Sequence, residues 1–167
     1  MILNINEIVL GLFVINLGIA CGAGLYETLI TLPIWFSGNA AKGWHINTEI
    51  MIKMDVGRRF WGFVTTMPLT LLTIASLVLV FRLQGQVHDW WLAATLIVFT
   101  ERLVTFFYFI PTAIKMAKSH TFDEEKASKM AAQWKNMNRV RLTLNLAGWL
   151  AALGAFYATA AQPHAAI

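Results

Sequence analysis

The sequence predicts an all-α integral membrane protein: a single four-helix transmembrane domain, antiparallel, with its second and fourth helices extended into the cytoplasm. Three observations lead there. Apolar runs long enough to cross a bilayer occur four times, at about 8–32, 60–81, 90–114 and 142–161. Hydrophobic residues make up 57% of the 167 positions and charged residues only 13%, roughly half the share of a soluble domain. The charge is also segregated, because eleven of the thirteen Lys and Arg lie in two connecting segments or at their edge.

Lys42, Lys53, Arg58 and Arg59 fall between spans one and two. Lys115, Lys118, Lys126, Lys129, Lys135 and Arg139 fall between spans three and four, with Arg141 at the span edge. Arg82 stands alone on the opposite side, and Arg102 lies within span three. The positive-inside rule puts both loops in the cytoplasm and both termini on the outer side, as expected of a bacterial inner-membrane protein with periplasmic ends. The net charge of +4 is then a record of orientation. A basic face toward anionic lipid accounts for it without a nucleic acid. Cys21 is the sole cysteine, so an internal disulfide and thiol–disulfide quinone chemistry are excluded. No basic segment precedes span one, which argues against a cleaved signal.

Span one follows Asn4-Ile5-Asn6-Glu7 and runs to Pro33, with Gly18, Ala20, Gly22 and Ala23 forming a small-residue face that allows close helix approach. Asn16, Ala20, Ala23 and Glu27 share a face, and Tyr26 lies beside it. Pro33 to Lys42 is a break, with Trp35 and Trp44 expected as interface anchors. Asn47 or Thr48 can cap a helix that continues to about Leu83, ~36 residues or ~54 Å, kinked at Pro68. Its polar face carries Arg58, Gly62, Thr65, Leu69, Thr73 and Ser76, whose hydroxyls are expected to bond their own helix. Asp89 is expected to cap span three, ahead of an interfacial Trp90-Trp91 pair. Glu101, Thr105, Tyr108, Thr112 and Lys115 lie on one face of it, and Pro111 interrupts it near its inner end. Thr121-x-x-Glu124 reads as a capping box opening a fourth helix of ~40 residues, followed by a tail from Gln162 expected to be disordered.

The chain is organised around the stretch from Trp134 to Trp149, where a water-facing helix becomes apolar without a break. Trp134, Asn138, Arg141, Asn145 and Trp149 recur at helical steps and carry a guanidinium and two amides toward the bilayer, where polar groups are costly. At similar depth lie Tyr26 and Glu27, Arg58 and Arg59, and Tyr108 and Thr112. A four-helix bundle builds its site from facing helices, so these groups can converge at the cytoplasmic end. Glu27 and Arg141 form the expected ion pair, with Arg58 as competing partner. Glu101 lies deeper. Arg102 is about 100° away round the helix and is not expected to share its face, so Glu101 needs Asn145, Thr73 or a neutral state. The arginines also admit a plain reading as snorkelling anchors, for Arg59 and Arg139 as readily as any other. No metal site is expected. All four histidines lie outside the spans, and no Glu-x-x-His stands on any span.

Three patches together resemble a known family. Gly24-Leu25-Tyr26 followed by Pro33, then Ile110-Pro111-Thr112, then Trp134-x-x-x-Asn138-x-x-Arg141 are similar to the small four-span membrane proteins that include the fungal anthrone oxygenases. The resemblance implies oxidation of an anthrone to an anthraquinone by O₂ without a bound cofactor. It points to Tyr26, Pro33, Pro111, Thr112, Trp134, Asn138 and Arg141. Where the fungal enzymes continue with a second Pro and Asn-x-x-Leu, this chain has Lys115-Met116-Ala117-Lys118. In that chemistry Glu27 or Glu101 would remove a proton, and Asn138 and Arg141 would hold the oxyanion. Trp134, Trp149 and Tyr108 would stack on the flat ring system, with Arg58, Thr112 and Asn145 completing the pocket. The expected partners are the lipid bilayer and an aromatic or quinone-like small molecule, with a homo-oligomer as a further possibility. Two other functions fit the composition: a non-catalytic subunit of a larger respiratory or photosynthetic complex, and a small-solute carrier.

Overall fold

The computed structural model describes residues 4–39, 41–118 and 122–161. In chain order the elements are α1 (Ile5–Trp35), β1 (Phe36–Asn39), β2 (Gly43–Ile46), α2 (Thr48–Met54), α3 (Gly57–Val80), α4 (Gly85–Met116) and α5 (Glu124–Ala161). Four of them, α1, α3, α4 and α5, are long and apolar enough to cross a membrane, and mark an integral membrane protein. They pack in a ring, α1 against α3, α3 against α4, α4 against α5 and α5 back against α1. Their outward faces carry residues such as Leu29, Phe63, Leu71, Phe81 and Phe107, exposed in the bundle and suited to hydrocarbon.

Each boundary has a local cause. Asn4 caps α1 by accepting the Asn6 N–H, and Glu7 returns a bond to the Asn4 N–H. Asn47 caps α2. The long helix expected from there does not form. Asp55 adopts a left-handed conformation (φ 44°) that ends α2, and α3 starts afresh at Gly57. Asp89 is not a cap either, since α4 begins four residues earlier at Gly85. The side chain of Asp123 caps α5 by accepting the Lys126 N–H at 2.7 Å. The proposed box at Thr121 and the tail from Gln162 lie outside the described residues. At 38 residues, α5 has close to the expected length.

The stretch from Phe36 to Ile46 forms a two-stranded hairpin that the all-α reading did not foresee. Asn39 Oδ1 accepts the N–H groups of Ala41 and Lys42, which folds the turn. Gly38 is in the left-handed region, and a Cβ there would lie 2.3 Å from the Gly43 carbonyl oxygen, so no other residue fits. The hairpin lies on α5, where Ser128 Oγ accepts the Trp44 N–H at 2.8 Å and the Lys135 ammonium sits 3.4 Å from the Trp44 ring centre.

Three of the four spanning helices contain a proline, and each is preceded by a π-helical stretch. Glu27–Thr31 precedes Pro33, Gly57–Thr66 precedes Pro68, and Thr105–Phe109 precedes Pro111. Proline has no N–H and crowds the carbonyl four residues back, and a wider turn relieves that clash. The freed carbonyls need new donors in lipid. Asn16 Nδ2 on α1 supplies one, donating to the Val64 carbonyl, four residues before Pro68, at 2.9 Å.

Two apolar cores divide the interior. One gathers Phe13, Leu17, Leu69, Trp91, Val98 and Ala152 at the end carrying the termini. The other gathers Leu32, Trp35, Ile46, Phe109, Met116 and Trp134 at the hairpin end. Trp35 and Trp91 therefore sit in the cores and are not the interface anchors expected of them. Gly148 brings α5 so close to α4 that a Cβ would lie 2.7 Å from the Val98 side chain. Of the hydroxyls expected to bond their own helix, Thr65 and Thr73 do so, whereas Ser76 Oγ is buried with no partner.

Replacing Asn16 by Leu should cost ~1–2 kcal/mol, because the Val64 carbonyl loses its donor. Denaturant unfolding in mixed micelles measures it, and native-like stability would show that Val64 needs no help from α1.

Candidate functional site

Between the two cores lies a polar layer. Thr31 of α1, Thr65 of α3, Glu101, Arg102 and Thr105 of α4, and Asn138, Arg141 and Asn145 of α5 are all buried there, with Glu27. Burying a charge is tolerated only with a partner, and this layer meets the condition twice. Arg141 Nη2 donates to Glu27 Oε2 at 2.9 Å and to Asn138 Oδ1 at 2.5 Å. Asn138 Nδ2 donates in turn to Thr28 Oγ1 at 2.8 Å, and Thr28 donates to the Gly24 carbonyl at 2.7 Å. The expected Glu27–Arg141 pair is thus present, held by a chain of bonds that ends on the α1 backbone. The guanidinium lies 4.0 Å from the Phe109 ring centre and 4.8 Å from that of Trp61, so aromatic faces replace part of its hydration.

The second pair corrects an expectation. Glu101 is fully buried, and its partner is its neighbour Arg102, whose Nε and Nη2 both reach Glu101 Oε2. Thr105 Oγ1 donates to the other carboxylate oxygen at 2.8 Å. The 100° between adjacent residues did not forbid contact, because the arginine side chain is long enough to fold back round its helix.

This layer opens into a cavity of about 590 Å³, within the usual range for small-molecule sites. Trp35, Trp61, Phe109 and Trp134 give it aromatic walls, and Glu27, Glu101, Arg102, Arg141 and Asn145 supply its polar groups. Two features bear on chemistry. Both bonds of Arg141 leave from Nη2, so its Nε and Nη1 have no hydrogen-bond partner among the described residues. Glu27 Oε1 likewise has none. Separately, the fully buried polar atoms without partners include Asn145 Oδ1, Arg102 Nη1 and the Trp35 and Trp134 indole nitrogens.

Glu27, Glu101, Trp134, Arg141 and Asn145 of the sequence-derived set line this cavity, and Asn138 supports it from behind. Arg58 lies at its margin, is largely exposed, and pairs with Asp55 at 2.8 Å instead of competing for Glu27. Tyr108 and Thr112 do not line it; Phe109 and Ala113 do. The reason is the π-helical stretch at Thr105–Phe109, whose extra residue turns every later side chain by about 100°, so the lining register moves on by one. Tyr108 packs behind the wall against Trp134, ring centres 6.4 Å apart. Trp149 is not in the site, since it packs on Gly18 within the other core. Tyr26 is 61% exposed and lines a separate, smaller cavity. Trp61, Arg102 and Phe109 were not singled out beforehand. A mid-span arginine beside a mid-span glutamate was the signal for Arg102.

Among the described residues, no group of three or more His, Cys, Asp or Glu side chains gathers that could hold a metal ion. No protein-family model matches the chain, and neither a curated protein nor a solved structure matches it.

Replacing Arg141 by Met alone should cost ~3–5 kcal/mol, because it leaves Glu27 buried and unpaired. The double replacement Glu27→Leu with Arg141→Met should cost less than either change alone. Unfolding free energies of the four proteins check this, and simple additivity would show that the pair is not coupled.

Proposed function

We propose that the protein binds a flat, weakly acidic aromatic molecule of the anthrone type in the larger cavity and oxidises it with O₂. The observation that carries this reading is the cavity itself: aromatic walls for a planar ring system, with an unpartnered carboxylate oxygen on one member of an ion pair and an unpartnered guanidinium nitrogen on the other. The resemblance of the Trp134-x-x-x-Asn138-x-x-Arg141 pattern to that of the anthrone oxygenase-like proteins supports the choice of reaction.

The central CH₂ of an anthrone is acidic because its anion is aromatic. Glu27 Oε1 takes that proton, and Arg141 Nη1 holds the oxygen on which negative charge develops. Asn138 and Thr28 keep the guanidinium oriented. The electron-rich anion then gives electrons to O₂ at the same carbon. Glu27 returns its proton to the resulting peroxide, which loses water to leave a carbonyl. One CH₂ and one O₂ become one C=O and one H₂O, so no external reductant is needed. The aromatic and apolar walls lower the local dielectric and strengthen the charge interactions on which the proton transfer depends.

In this reading the bundle is antiparallel and its hairpin end faces the cytoplasm. Contacts of α1 with α5 support the first point: Gly11 meets Phe156, Gly18 meets Trp149 and Gly24 meets Leu142. The concentration of Lys and Arg at the hairpin end supports the second.

With anthrone as substrate, Glu27→Gln should lower the rate of O₂ consumption by ~100-fold or more while the protein purifies intact. Full activity in that variant would remove Glu27 from the reaction. The native protein should purify alone and bind anthraquinone. A haem absorption band in the purified protein would overturn the cofactor-free reading, and stoichiometric copurification with larger membrane subunits would favour an accessory role instead.

A further inference from the structure

A second cavity, of about 440 Å³, lies between α1 and α3. Gly22 and Ala23 of α1 and Phe60 of α3 form its floor and sides, and the exposed residues Ile19 and Tyr26 stand at its rim on the outward face of the bundle. A Cβ on Gly22 would meet nothing within 4 Å, so the seam between these helices is open there. Glu27, Val56 and Trp61 belong to the walls of both cavities. Glu27 in this shared wall is buried and paired with Arg141.

We propose that the smaller cavity is a lateral entrance, through which the apolar substrate passes from the bilayer core between α1 and α3 to the partition formed by Glu27 and Trp61. The occupant is the substrate, and the route rests on the reading of function given above. A planar hydrocarbon-rich molecule dissolves in lipid, so a site opening toward acyl chains meets it at its highest concentration. The small residues at 22 and 23 leave room for a ring to slide edge-on. The Trp61 ring in the partition meets the Arg141 guanidinium at its face and the Phe60 ring edge-on, 5.5 Å between ring centres.

The test uses the full-length protein in lipid nanodiscs, with anthraquinone dissolved in the lipid and tryptophan quenching followed by stopped flow. Gly22→Leu fills the entrance without meeting another side chain at its Cβ, and leucine suits a helix better than glycine. Association and dissociation should both slow by about tenfold in this variant, with Kd unchanged, because a narrowed entrance alters the barrier and neither end state. Ala23→Leu should act in the same direction. Unchanged rates in both variants overturn the entrance while leaving binding by the native protein intact. A weakened Kd with unchanged association also overturns it, since the substitution would then act on the site. Absence of quenching in the native protein overturns the functional reading and the entrance with it.

Discussion

The structure depends on one constraint: a carboxylate and a guanidinium buried at membrane depth must neutralise each other. Glu27 and Arg141 meet that constraint across two helices and so decide how α1 and α5 register. Asn138 and Thr28 extend the contact into a chain of donors and acceptors. The two apolar cores are built on either side of this layer, and close contacts such as Gly148 against Val98 hold the same register. Glu101 and Arg102 are the contrasting case, since neighbours on one helix neutralise each other without constraining any second element.

The proline positions show how a cavity is kept open in such a bundle. A straight helix at each site would pack its side chains inward and close the space. Instead the widened turns on α1, α3 and α4 fall beside the polar layer, and α5 alone passes through it without interruption. Wide turns of this kind often accompany functional sites, because they redirect side chains without ending the helix. Here they bring Glu27, Trp61, Thr105 and Phe109 round a common space.

Most of the spanning architecture was legible in composition and periodicity. The four runs, the long last helix and the face formed by Trp134, Asn138, Arg141 and Asn145 follow from a period of 3.6 residues and the scarcity of charge. The Glu27–Arg141 pair followed from depth and charge alone. The misreadings have equally definite causes. A regular period puts Tyr108 and Thr112 in the lining, and the π-helical stretch turns them out of it. Backbone angle separates Arg102 from Glu101, but a side chain with many rotatable bonds crosses that angle. The break at Asp55 depends on one residue adopting a left-handed conformation, which polar patterning does not reveal. The hairpin rests on Gly38, Gly43 and Asn39, which in the sequence resemble an ordinary loop, and on a seat provided by α5 more than eighty residues later.

The distance along the chain between Glu27 and Arg141 also bears on biogenesis. They are separated by 114 residues, which at ribosomal speed is roughly 6–23 s of synthesis. The first helix therefore reaches the bilayer with an uncompensated acid, and its final seat does not exist until the last helix emerges. Until then the Glu27 carboxyl has to be protonated, hydrated or sheltered by other protein. The polar layer is thus completed at the end of translation, as the final segment slots in.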